Sequence, residues 1–159
     1  MKSCSATLTS GSERETESLG KLVGENAYSG LVVALIGELG SGKTVFARGI
    51  ARGCGIDYAP VTSPTFVIVN RYGGRIIFFH VDFYRLTHQS EVDELGLDEM
   101  IKEGTVAIEW ADRFIEVLPD ELLKVEFKTV FETQRQIYLT AYGTNAFKIL
   151  NQLGAETWL

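Results

Sequence analysis

Apolar and polar positions change period along this chain, and each change marks an element. Six consecutive apolar residues, Leu31 to Ile36, stop abruptly at Gly37. A run apolar on both faces and rich in β-branched types predicts a strand buried inside a parallel sheet. Thr105–Ile108 repeats that form and delivers Glu109 and Trp110 at its end. Helical spacing appears at Thr16, Leu19, Val23 and Ala27, behind a capping box made by Ser12 and Glu15. A second helix is predicted over Lys43–Cys54, with Val45, Phe46, Ile50 and Ala51 inward and Gly53 and Gly55 as its stop. Weak alternation over Ser5–Thr9 reads as a short strand. Phe66–Tyr72 and Arg75–Phe79 read as strands joined across Gly73-Gly74, a hairpin signal. Ser90–Lys102 predicts two short helices broken at Gly96. Leu123–Val130 and Arg135–Tyr142 predict an antiparallel hairpin through Glu132-Thr133-Gln134, and Asn145–Leu153 an amphipathic tail helix. No repeat or linker divides the pattern, so residues 1–159 read as a single domain.

Composition narrows the function classes. A formal net charge of −6 argues against a large basic nucleic-acid footprint, so any tRNA or DNA contact belongs more naturally to a partner. Cys4 and Cys54 are too few and too isolated for a disulfide framework or a zinc site. Cys54 falls on the buried face of its helix. The apolar runs are far shorter than a membrane span, and the N-terminus lacks the succession of a signal peptide. A cytoplasmic protein without a membrane role is the expectation.

The candidate chemistry sits where the first buried strand stops. Gly37, Gly42, Lys43 and Thr44 occupy the fixed places of G-x-x-x-x-G-K-T, between a strand and a helix. Gly37 permits a sharp turn, while Gly40 and Gly42 permit dihedrals that aim backbone N–H groups inward at phosphate oxygens. The positive end of the following helix adds to that cradle. Lys43 suits the β- and γ-phosphates, and the Thr44 hydroxyl suits magnesium. Ala59–Phe66, with two prolines and three hydroxyl residues, is a stiff polar loop where P-loop proteins keep a γ-phosphate switch. Asp82, just past an apolar strand, is placed for magnesium or the attacking water, although lone aspartates there also serve as turn formers. Glu109 is the stronger carboxylate candidate, since ligands collect at the carboxyl ends of strands in open α/β sheets. Trp110 is either a neighbour of the nucleotide or a core aromatic. His80 has no nearby histidine except His88 on a loop, which argues against zinc.

With these motifs in order, the chain resembles the TsaE (formerly YjeE) family, small bacterial P-loop ATPases of tRNA threonylcarbamoyladenosine synthesis. Gly37–Phe46 matches G-[DE]-L-G-[AS]-G-K-T; Ser63-Pro64-Thr65-Phe66, His80–Arg85 (H-x-D-x-Y-R) and Glu109-Trp110 follow at compatible spacing. The likeness runs from about Ser12 to Leu118 and is only general from Pro119 onward. It implies a three-layer αβα P-loop NTPase sandwich with a mixed central sheet. It implies ATP and Mg2+ as ligands, with Leu39, Gly40, Ser41, Gly42, Lys43, Thr44 and Val45 around the phosphates. Lys43, Asp82 and Glu109 would be the catalytic residues, Thr44 and Glu109 the magnesium ligands, and Thr65 part of a mobile switch. Glu13 and Arg135 would lie around the nucleobase. The implied role is to bind the TsaD–TsaB heterodimer and hydrolyse ATP slowly, resetting that complex between cycles, with tRNA met only through it.

Other classes fit less well. A small-molecule or nucleoside kinase also pairs a P-loop with a carboxylate, but the insertion after Tyr84-Arg85 is short and acidic, unlike an arginine-bearing lid. A GTPase is disfavoured because no N-K-x-D motif follows Thr105. A nucleotide-gated binding module with negligible hydrolysis differs from the ATPase only in degree.

Overall fold

The computed structural model describes residues 2–57 and 61–157, so Ala59 and Pro60 of the stiff loop lie outside the described residues. Seven strands form one sheet: β1 (Ser3–Ser10), β2 (Val32–Ile36), β3 (Val69–Gly73), β4 (Ile77–Asp82), β5 (Thr105–Glu109), β6 (Leu122–Thr129) and β7 (Arg135–Tyr142). Their spatial order is β1-β7-β6-β2-β5-β4-β3. β6, β2, β5 and β4 run parallel, whereas β7, β1 and β3 are antiparallel to their neighbours. β2 is central and covered on both faces, as its unbroken apolar run requires. Val33 and Leu35 enter one core; Val32 and Ala34 enter the other.

The first core is capped by α1 (Glu13–Glu25), α2 (Lys43–Gly53) and α5 (Thr144–Thr157). The second lies under α3 (Gln89–Asp93), α4 (Leu97–Glu103) and a 3-10 helix over Ala111–Val117. The result is a mixed αβα sandwich, as expected. Of the expected capping box, only the Ser12 half forms. Ser12 Oγ accepts from the Glu15 amide at 3.1 Å, and Glu15 Oε2 accepts from Gly11 rather than from the cap itself, at 2.6 Å. Among the described residues, no helix is long and apolar enough to cross a membrane.

Two sequence expectations shift. The strand predicted from Phe66 begins only at Val69, because the Pro64 carbonyl gathers the Val67 and Ile68 amides into a turn. Ile68 sits there at φ 73°, a left-handed conformation unusual for a β-branched residue. Its partner strand runs Ile77–Asp82 rather than from Arg75, so His80 and Asp82 belong to the strand.

Gly53 is the last residue of α2, as expected, and Gly55 at φ 90° makes the turn beyond. A Cβ added at Gly53 would run into the Lys21 carbonyl oxygen. The same holds for Gly20 against Phe46, Gly24 against Ile50 and Gly49 against Glu17. Spaced four apart on each helix, these glycines let α1 and α2 touch backbone to backbone. The inward stripe of α1 is therefore Thr16, Gly20, Val23 and Gly24, with Leu19 only half-buried.

Cys54 is fully buried at the end of α2, and burial pushes its thiol up to about 11 against the opposing pull of Arg75. At pH 8 its thiolate fraction is then only about one in a thousand. Exposed Cys4 on β1 has no such protection. A disulfide-exchange reagent is expected to label one thiol per native chain, and the second only in denaturant. Rapid labelling of both in the native protein would contradict this burial.

Candidate functional site

Residues 37–42 connect the buried end of β2 to the first turn of α2. Gly40 and Gly42 hold φ values of 74° and 111°, the left-handed conformations that glycine adopts without steric cost. Gly42 caps α2 with no side-chain hydrogen bond, so the first amides of an eleven-residue helix have no intrahelical acceptor. They face a cavity of about 600 Å³. A side chain at Gly37 would press against Phe127 Cβ, 3.1 Å away, so β6 backs the loop closely.

Lys43 is almost fully buried. Its Nζ donates to the carbonyls of Gly37 at 2.6 Å and Glu38 at 2.7 Å, and lies 4.1 Å above the centre of the Trp110 ring. Burial lowers its pKa, and the nearby Glu109 and Asp82 carboxylates offset part of that effect. The lysine thus rests on its own loop, within the cavity wall.

The parallel register of β4 and β5 sets their last residues, Asp82 and Glu109, side by side, each about 2% exposed. Glu109 Oε1 accepts from Thr44 Oγ1 at 2.6 Å. Its Oε2 meets His80 Nε2 at 3.1 Å and accepts from Ser63 Oγ at 3.3 Å. Burial pushes the Glu109 carboxyl up, but hydrogen bonds from His80 and Thr44, with His80 and Lys43 nearby, outweigh it and hold the carboxyl below its ordinary value. His80 Nδ1 is buried with no hydrogen-bond partner among the described residues. Asp82 Oδ2 accepts from Thr65 at 3.0 Å and Ser63 at 3.3 Å, while Oδ1 accepts from the Tyr84 amide at 2.8 Å.

Glu13, Leu39 through Val45, Thr65, Glu109 and Arg135 all line the one cavity. Asp82 stands behind it, screened by the hydroxyls of Ser63 and Thr65. Trp110 is on the wall at φ 58°, half-buried against Tyr84, with ring centres 5.0 Å apart, and it also packs against the second core, so it serves both cavity and core. Arg135 points its guanidinium at the carbonyl oxygens of Gly40 and Ser41 and of its own hairpin.

Several site residues carried no individual signal. Thr133 lines the cavity beside Ser12, Thr16 and Tyr84, which the sequence marks only as a helix cap, an inward helix position and a member of the H-x-D-x-Y-R motif. Ser63 was visible in its four-residue motif, but its bonds to two carboxylates were not. His80 looked like a lone structural histidine, and its contact with Glu109 crosses two strands.

The donor set fits a nucleotide held through magnesium. Among the described residues, no group of three or more His, Cys, Asp or Glu side chains converges on a metal position. Magnesium needs no such cage, since one or two protein oxygens complete its shell with phosphates and water. The Thr44 hydroxyl and Glu109 carboxylate, in contact at 2.6 Å, have the chemistry of such a pair, beside amides that suit phosphate.

The family model described as "Threonylcarbamoyl adenosine biosynthesis protein TsaE" matches residues 10–137. The tRNA threonylcarbamoyladenosine biosynthesis protein TsaE of Bacillus subtilis is 40% identical over 138 residues, spanning 86% of this chain and 85% of the relative. The protein of that name from Treponema pallidum is 35% identical over 127 residues, spanning 79% and 93%. A crystal structure of YdiB from Bacillus subtilis matches with a TM-score of 0.84 at 31% identity, covering 99% of both chains.

Proposed function

The chain belongs to the TsaE family of threonylcarbamoyl adenosine biosynthesis proteins, and from that premise we propose that it is the ATP-binding, slowly ATP-hydrolysing component of that tRNA modification machinery. It acts by resetting a TsaD–TsaB heterodimer between catalytic cycles. The observation that carries the ATPase reading is the 2.6 Å bond between Thr44 and Glu109 at the mouth of a glycine-built helix N-terminus. A hydroxyl and a carboxylate brought together there are the protein share of a magnesium–nucleotide site.

The roles follow from the geometry. Amides of the phosphate loop and of the start of α2 cradle the phosphates. Lys43 exchanges the Gly37 and Glu38 carbonyls for the β- and γ-phosphates, regaining a counter-charge for its buried ammonium. Thr44 and Glu109 would hold magnesium, which when bound offsets negative charge on the phosphate oxygens. Asp82, an acceptor of the loop hydroxyls of Thr65 and Ser63, has the chemistry to orient water once that loop moves. Thr65 is thereby the switch residue, linking the loop to the carboxylates. Exposed Leu39 beside the phosphates, and exposed Phe66 and Val67 beside Thr65, favour a partner that meets the nucleotide side. The net charge of −6 favours leaving tRNA to that partner, in a reducing cytoplasm.

The test is steady-state ATP turnover, alone and with the TsaD–TsaB pair of the same organism. Slow turnover that rises with the pair is the expected result. Turnover indifferent to the pair but raised by a nucleoside or metabolite would favour a kinase instead. In the same assay, Lys43→Ala is expected to weaken ATP binding by about tenfold or more, the worth of one charge-assisted contact. Unchanged affinity would remove Lys43 from the cradle.

A further inference from the structure

Arg135 opens β7, yet its guanidinium donates only to backbone carbonyls of the phosphate loop and the hairpin turn. Nε donates to the Ser41 carbonyl at 3.2 Å and Nη2 to the Gly40 carbonyl at 3.3 Å. Nη1 donates to the carbonyls of Phe131 and Glu132 at 3.0 Å and of Gln134 at 3.2 Å. Among the described residues no carboxylate pairs with it, so its whole charge is spent on backbone oxygens. We propose that Arg135 is a positioning residue that braces the phosphate loop, rather than a contact to the nucleobase. This rests on the ATP reading above and assigns a role within that same site.

The brace works through peptide planarity. In a trans peptide the C=O and the following N–H point in opposite directions. Holding the Ser41 carbonyl from the hairpin side turns the Gly42 N–H away from the arginine. The preceding amide, Ser41 N–H, is already committed to the Glu38 carbonyl at 3.1 Å. Two braces therefore act on one short loop: Lys43 holds Gly37 and Glu38, and Arg135 holds Gly40 and Ser41. Lys43 must leave when phosphate arrives, whereas Arg135 can stay. Gly40 and Gly42, both left-handed, give this second hold its purpose, because glycine restricts its own backbone least of all residue types. The planar fork of an arginine reaches two successive carbonyls and the hairpin turn together, a geometry that an ammonium does not reproduce.

The experiment measures affinities for ADP, GDP and pyrophosphate by competition against a fluorescent ADP analogue. It uses the parent chain, Arg135→Gln and Arg135→Lys, each checked for a native circular dichroism spectrum. The brace predicts that both variants lose about tenfold for all three ligands, with the ADP-to-GDP ratio unchanged, because preorganisation of the phosphate cradle is what is lost. A collapse of the ADP-to-GDP ratio with pyrophosphate unaffected would make Arg135 a base contact and overturn the proposal. Parent affinity in Arg135→Lys would mean that charge alone matters, and would overturn it equally. So would parent affinity in Arg135→Gln. Failure of the parent chain to bind any nucleotide would instead sink the ATP reading itself.

Discussion

ATP turnover by Glu109→Ala is expected to fall about a hundredfold to a thousandfold below the parent chain. Glu109 is the carboxylate that reaches Thr44, and it ends a buried strand beside Asp82. A metal-ligating carboxylate supports several kcal/mol of transition-state charge stabilisation, and each 1.36 kcal/mol is a factor of ten in rate. The substitution also leaves His80 without its partner inside the sheet, which costs about 1–3 kcal/mol of stability. Glu109→Gln keeps the volume and an acceptor, so it separates lost catalysis from lost folding. Asp82→Ala belongs in the same series; parent rates in both alanine variants would end the proposed roles of these carboxylates.

The depressed pKa of Glu109 adds a sign that can be checked. Its carboxyl is held below the ordinary value in the folded chain, so the folded state favours the anion more than the unfolded state does. That stability is complete above the ordinary carboxylate range and is lost as pH falls through the folded value. In Glu109→Gln this part of the acid dependence should disappear, which unfolding at a series of pH values would detect.

Gly24→Ala is expected to lower stability by about 3 kcal/mol and the melting temperature by roughly 6–12 °C. Alanine is the better helix former by about 1 kcal/mol, so propensity alone predicts the opposite sign. Tertiary packing overrides it. A methyl at Gly24 would overlap the Ile50 carbonyl oxygen and come within 2.9 Å of the Gly53 Cα. Backbone atoms of a packed helix cannot rotate aside, so α1 must lift from α2. That movement would disturb the loop over residues 37–42, because α2 begins at Lys43. Gly154→Ala is the control: among the described residues nothing lies within 4 Å of its added carbon, and the helix should gain about 0.5–1 kcal/mol. Equal melting temperatures for Gly24→Ala and the parent would refute backbone-to-backbone packing of the pair.

The amino-acid sequence by itself determined the elements whose causes are local. An unbroken apolar run made β2 a buried strand, a glycine pair marked one hairpin, and Gly96 separated α3 from α4. It also placed Gly37, Gly42, Lys43 and Thr44 at one strand-to-helix junction, because that junction is built from residues close together in the chain. Glu109 was legible for a similar reason, as a carboxylate at the end of a strand with no polar neighbours.

What tertiary structure alone decided depends on residues far apart in the chain. The glycines of α1 and α2 carry no hydrophobic signal, and only the crossing of two helices shows why side chains are excluded there. Phe66, Val67 and Ile68 have the composition of a strand, yet the Pro64 carbonyl and a positive φ at Ile68 hold them in a turn. Asp82 became a residue behind the cavity only when Ser63 and Thr65 folded across it. Arg135 meets the Ser41 carbonyl across 94 residues of chain, and no periodicity encodes which backbone oxygen a guanidinium will find. Local propensity reads turns and faces; the partners of a buried polar group are set by the sheet order that brings distant strand ends together.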